Sequence, residues 1–155
     1  MTPAINTAKK AKIDFRIHEY DHDPTSESYG EEAASKMDID SSRVFKTLVV
    51  FTGGKDLSIA VLPVSRQLDL KRIAQVLGVK KVTMADKTEI ERVTGYVRGG
   101  VSPLGQKRNL ITVIDESAKT FDTIFVSAGR RGLQIELSPV DLYLLTKGQF
   151  QSIVR

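Results

Sequence analysis

Apolar and polar positions change their spacing repeatedly along the chain, and each change marks an element. Thr2-Pro3 is a helix start, with Thr2 as N-cap and Pro3 at the first helical position, and the helix runs to about Lys12. Ile13, Phe15 and Ile17 then alternate with Asp14, Arg16 and His18, which predicts a half-buried strand. Residues 20–24 read as a polar turn, 25–29 as loop, and 30–37 as a short helix with acidic residues in its first turn. Residues 43–51 form a continuous apolar run interrupted by Lys46, which predicts a strand buried on both faces and central in its sheet.

Gly53-Gly54-Lys55-Asp56 predicts a hairpin turn into an antiparallel partner strand over 57–62. Asp69 caps a helix over 70–77 that Gly78 ends. A short strand is expected over 80–84. Asp86 and Glu89 have capping-box spacing for a helix to about Val93. Strands follow over 109–114 and 122–126, with a turn or short helix at 115–117 between them. Residues 127–132 read as a glycine-bearing turn, 133–137 as a strand, and Ser138-Pro139 opens a last helix through Leu145. Hairpins mixed with helical connections, without strict β-α alternation, predict an α+β domain whose curved sheet is mixed and mainly antiparallel.

Bulk properties narrow the class. With 155 residues, 41% hydrophobic and 27% charged, the chain is expected to form one soluble domain spanning 1–155. No apolar run approaches the roughly 20 residues that span a bilayer, and the N-terminus lacks signal-peptide character. A cytoplasmic, monomeric protein is the expectation. There is no cysteine, which excludes disulfides, thiolate metal sites and a cysteine nucleophile. The formal net charge of +4 permits an anionic partner without demanding one. Basic pairs such as Lys107-Arg108 and Arg130-Arg131 would form a phosphate track only if the fold clustered them.

Catalytic signatures are sparse. The chain has no nucleophile elbow, phosphate-loop lysine motif or zinc spacing. His22 with Asp21 and Asp23 crowds one short turn without a second ligand cluster, so no metal is expected. Lys46 lies inside an apolar strand, where an ammonium must reach water, a partner or a ligand. Residues 94–105 hold four glycines and a proline with a single charge. Such a stretch is either a tight connection between packed elements or a loop that presents several backbone N–H groups to one ligand. The residues alone leave both readings open for Lys46 and for this loop.

Four segments resemble the YbaK-type deacylases, relatives of the editing insertion domain of bacterial prolyl-tRNA synthetases. They are residues 2–5 through 20–23, Phe45-Lys46-Thr47-Leu48-Val49, Thr94-Gly95-Tyr96 with residues 99–105, and residues 126–133 with Ile135-Glu136-Leu137. The resemblance covers nearly the whole chain. It implies a compact α+β fold with a mixed, barrel-like sheet and no cofactor. It implies removal of cysteine from mischarged Cys-tRNA(Pro), with the cysteinyl thiol attacking its own ester. A deacylase for Ala-tRNA(Pro) or of broader range, and a non-catalytic tRNA- or synthetase-binding module, are the alternatives. The implied partners are the acceptor end of tRNA(Pro) and, in a transient complex, prolyl-tRNA synthetase.

By the same resemblance, Lys46 positions the acyl-adenosine end and favours negative charge near the ester or the adjoining phosphate. Tyr20 meets the terminal adenosine or its ribose. Backbone groups of Gly100, Val101 and Ser102 hold the ester carbonyl or ribose hydroxyl. Ser127 and Gly129 form the opposite wall, and Tyr29, Thr47, Gly105 and Gln134 complete the site. Relatives often carry an acidic residue where this chain has Gln134, whose amide can still hydrogen-bond.

Overall fold

The computed structural model describes residues 1–54 and 56–155. Lys55, within the predicted turn at 53–56, lies outside the described residues. The elements in chain order are α1 (Pro3–Ala11), β1 (Phe15–Glu19), α2 (Tyr29–Met37), β2 (Phe45–Gly53), β3 (Asp56–Pro63), α3 (Leu70–Leu77), β4 (Thr83–Met84) and α4 (Lys87–Thr94). Then come β5 (Ile111–Asp115), a 3-10 turn (Glu116–Thr120), β6 (Ile124–Arg130), β7 (Leu133–Leu137), α5 (Pro139–Thr146) and β8 (Gln149–Gln151). Among the described residues, no helix is long and apolar enough to cross a membrane.

The local signals act where the sequence places them. Thr2 accepts the Ile5 N–H at 3.2 Å. Asp69 accepts the N–H groups of Lys71 and Arg72, and Gly78 closes α3 in the left-handed region at φ 70°. Ser138 caps α5 through the Asp141 N–H at 3.0 Å. At α4 the capping box does not form. Asp86 is the N-cap without a side-chain bond, and Glu89 turns to Arg92 at 2.6 Å instead of back to the cap.

Two sheets result. One has the order β1-β7-β6, all antiparallel. The other has the order β4-β2-β3-β5-β8, antiparallel around β2 and parallel at β3–β5 and β5–β8. The α+β, mixed and mainly antiparallel arrangement is the one the sequence predicts. The sheets are stitched together where Phe125 donates its N–H to the Arg43 carbonyl at 3.0 Å and Val44 bridges Phe125. β2 therefore continues one sheet into the other, and together they curve around the main core. α1, α4 and α5 each contribute a buried side chain to that core, among them Ile5, Val93 and Leu142. A second core lies under α3 and a small third one under α2.

Four expectations change. The middle strand of the larger sheet is β3, buried at every position after Asp56, whereas β2 is half-exposed at Lys46, Thr47 and Leu48. Residues 127–132 are not one turn: β6 continues to Arg130 through a bulge after Ser127, which Gly129 permits at φ 110°. Tyr29 opens α2 instead of ending a loop. β8 has three residues, too few to show any alternation, and was not foreseen.

Candidate active site

β2 is covered unevenly along its outer edge. β4 pairs with Val50 and Phe51, and β6 bridges Val44 just before the strand. Between those contacts the edge at residues 45–49 opens into a cavity of about 610 Å³. This is a size suited to a small organic ligand. The start of α2, the β4–α4 connection, Arg98, Gly99 and Val101, Ser127 of β6 and Gln134 of β7 close the other sides.

Lys46 lies on this wall. Burial pushes its ammonium below the ordinary lysine range, and the nearby carboxylate of Glu31 opposes that shift. Among the described residues Lys46 has no hydrogen-bond or ion-pair partner. Thr47 Oγ1 and Gln134 Oε1 are also buried on this wall with no partner. An unsatisfied buried polar atom costs roughly 1–3 kcal/mol. Lys46, Thr47 and Gln134 all line this one cavity, so an unpartnered cation and the side chains of two orphaned polar atoms belong to its wall.

The glycine-rich stretch has two jobs. Gly99 and Val101 reach the cavity wall. Gly100 and Gly105 allow close packing. A Cβ at Gly100 would lie 2.8 Å from Arg130 Cα, and one at Gly105 would lie 2.5 Å from the Pro3 carbonyl carbon. Tyr96 pins the stretch by donating its hydroxyl to the Leu104 carbonyl at 2.6 Å, and burial raises its pKa to about 12 despite a backbone bond from Ala4. Ser102 is fully buried, and its hydroxyl accepts the Leu104 N–H at 3.2 Å.

Of the residues singled out from the sequence, Tyr29, Lys46, Thr47, Val101, Ser127 and Gln134 meet at the cavity. Tyr20, Gly100, Ser102, Gly105 and Gly129 do not reach its wall. Tyr20 stands behind it, half-buried beside Gln134 and Gly132. Gly129 packs on Thr2 and Tyr96, and its N–H goes to the Ser127 hydroxyl at 3.2 Å.

Neither histidine lines the cavity. His18 is bound to Glu136 at 2.9 Å and His22 to Glu32 at 2.6 Å, so no imidazole is placed to activate Ser127 or Thr47. Glu31, Arg98, Met84 and Ile90 also line the cavity. Arg98 carried a signal, as the single charge in the glycine-rich stretch. Met84 and Ile90 carried none, because the chain's path alone brings them there.

Comparison with known proteins places this geometry in context. Residues 22–144 match the profile of the aminoacyl-tRNA editing domain. The chain is 39% identical over 154 residues to EbsC of Enterococcus faecalis, described as a candidate Cys-tRNA(Pro)/Cys-tRNA(Cys) deacylase, covering 98% of this chain and 92% of that protein. It is 22% identical over 111 residues to a proline–tRNA ligase of Lactobacillus helveticus, a match that takes in 72% of this chain and 20% of the ligase. A crystal structure of a candidate trans-editing enzyme for prolyl-tRNA synthetase shares the fold, with a TM-score of 0.83 at 21% identity and coverage of 100% and 99%. A family profile spanning most of the chain and a full-length relative at this identity agree: the protein belongs to the aminoacyl-tRNA editing domain family.

Proposed function

We propose that the chain is a trans-acting aminoacyl-tRNA deacylase that clears Cys-tRNA(Pro). The observation that carries this reading is the cavity itself: a half-buried, unpartnered Lys46 on a wall with two orphaned polar atoms, where no side-chain hydroxyl is hydrogen-bonded to a base among the described residues. Such a site suits orientation and charge stabilisation at an ester whose nucleophile arrives with the substrate. The relative described as acting on Cys-tRNA(Pro) and Cys-tRNA(Cys) supports cysteine as the amino acid removed.

In the proposed chemistry the cysteinyl sulfur bonds to its own ester carbonyl carbon and the C–O bond to the ribose breaks. The thiol proton passes to the departing ribose oxygen. The resulting four-membered thiolactone is opened by water, giving free cysteine. Lys46 stabilises negative charge that develops on the ester oxygens. Gln134 and Thr47 hold the aminoacyl end, and Tyr29, Val101 and Ser127 complete the walls. Tyr20 and Gly129 act behind these groups, as do Gly100, Ser102 and Gly105, by fixing the walls in place. Selection of tRNA(Pro) comes from a transient complex with prolyl-tRNA synthetase, a reading supported by the match to part of a proline–tRNA ligase.

Single-turnover deacylation of Cys-, Ala- and Ser-tRNA(Pro) tests the reading. Cysteine should be released fastest and Lys46→Ala should lower that rate about 100-fold while tRNA affinity is retained. Equal rates for alanine and cysteine would remove the thiol-assisted step and favour the Ala-tRNA(Pro) or broad-range alternative. No hydrolysis of any aminoacyl-tRNA by the wild type would leave a tRNA- or synthetase-binding module.

A further inference from the structure

Arg131 is held in one orientation by contacts from two segments. Its guanidinium lies 4.6 Å from the centroid of the Tyr29 ring, at the start of α2. Its Nε donates to the Arg98 carbonyl at 2.9 Å. Gly99, in the left-handed region at φ 82°, makes room: a Cβ there would lie 2.8 Å from Arg131 Nε and 2.9 Å from the Tyr29 ring. Tyr29, Arg98 and Gly99 all line the cavity, so Arg131 stands at its mouth.

These contacts occupy Nε and one face of the guanidinium. The four N–H donors of its two terminal nitrogens have no partner among the described residues. Arg98 and Lys87, exposed on the same wall, have no carboxylate within ion-pair distance among the described residues. Arg43, Arg72 and Arg92, by contrast, have Glu136, Asp69 and Glu89. The acidic groups on this wall are Glu27 and Glu31, and neither pairs with Arg98, Arg131 or Lys87. An immobilised arginine with its fork free is prepared for a bidentate anion and loses little side-chain entropy on binding it.

We infer that Arg131 and Arg98 clamp the phosphodiester preceding the acylated nucleotide, so that single-stranded RNA leaves the cavity over the Tyr29–Arg131 stack. The inference rests on the deacylase reading for the group inside the cavity. Lys87, on the same wall, extends the positive rim toward the next phosphate.

The test compares Arg98→Ala, Arg131→Ala and Arg131→Lys. Two measurements are made over a range of salt: binding of uncharged tRNA by fluorescence anisotropy, and kcat/KM on Cys-tRNA(Pro) and on cysteinyl-adenosine, which carries no phosphate. Each alanine variant should weaken tRNA binding about tenfold and make the log–log salt slope shallower by about 0.7. The loss in kcat/KM on tRNA should exceed that on the nucleoside ester about tenfold and appear in KM. Arg131→Lys keeps the charge without the fork and should recover only part of the affinity. Equal losses on both substrates would mean that Arg131 only props Tyr29, and wild-type tRNA affinity or an unchanged salt slope would equally overturn the clamp. A wild type that hydrolyses neither substrate refutes the deacylase reading, while the binding arm still decides the clamp.

Discussion

Thr47 is a polar residue that the fold leaves unsatisfied. It sits on β2 between buried Phe45 and Val49, with a hydroxyl that finds no partner. Thr47→Val keeps the shape and removes the orphaned group. The melting temperature should rise by about 2–4 °C, since relieving an unsatisfied hydroxyl is worth around 1 kcal/mol. Deacylation of Cys-tRNA(Pro) should fall about tenfold. Scanning fluorimetry and single-turnover kinetics on one preparation check both, and undiminished activity would remove Thr47 from the site. Lys46 was legible in the sequence because a charge inside an apolar run has few explanations. Gln134 was not legible by pattern: in an alternating strand it reads as solvent-facing, yet it is only 7% exposed, on the middle strand of its sheet with Tyr20 beside it. The resemblance to a known family, not the spacing, singled it out.

At the scale of elements, the stretch from Gly95 to Gly105 acts as a spacer that joins α4 to α1 and β6 and lends only Arg98, Gly99 and Val101 to the cavity. Gly105 shows why glycine is required. Its φ of 65° and a Cβ position 2.5 Å from Pro3 backbone atoms leave nothing flexible to yield. Gly105→Ala should cost about 2–3 kcal/mol and lower the melting temperature by about 5–10 °C, with faster amide exchange in α1. A melting temperature within about 2 °C of wild type would show that α1 shifts at little cost. The helices were readable to within a residue or two because Thr2, Asp69 and Ser138 cap them by local chemistry. The parallel pairs β3–β5 and β5–β8 were not, because pairing partners are distant in sequence and leave no local trace. The bulge at Gly129 was mistaken for a turn for a related reason: glycine marks a backbone irregularity without saying which kind.

For the molecule as a whole, one carboxylate sits at the seam between the two sheets. Glu136 on β7 touches His18 on β1 at 2.9 Å, Thr123 just before β6 at 2.5 Å, and Arg43 just before β2 at 3.7 Å. Arg43 in turn donates to the Thr123 carbonyl at 3.1 Å and lies over the Phe125 ring. Burial alone would raise the Glu136 pKa, but the Thr123, His18 and Arg43 contacts outweigh it and hold the group below its ordinary 4.5. The unfolded chain then binds this proton more readily than the folded one. The stabilisation is fully present above pH 4.5 and is lost as pH falls through the lower folded value. Glu32 behaves alike: burial opposes its ionisation, while His22, the Asp23 N–H and Lys36 favour it more strongly. Glu136→Gln keeps the shape and removes the titration. Its melting temperature should lie below wild type at neutral pH, where the carboxylate's ion contacts are missing. The gap should narrow as the pH drops below 4.5, because the wild type alone loses this contribution there. Melting curves from pH 7 to 3 decide the matter. A constant difference between the two proteins would mean that the seam is held by packing around Val44 and Phe125, and that Glu136 contributes no charge-dependent link between the sheets.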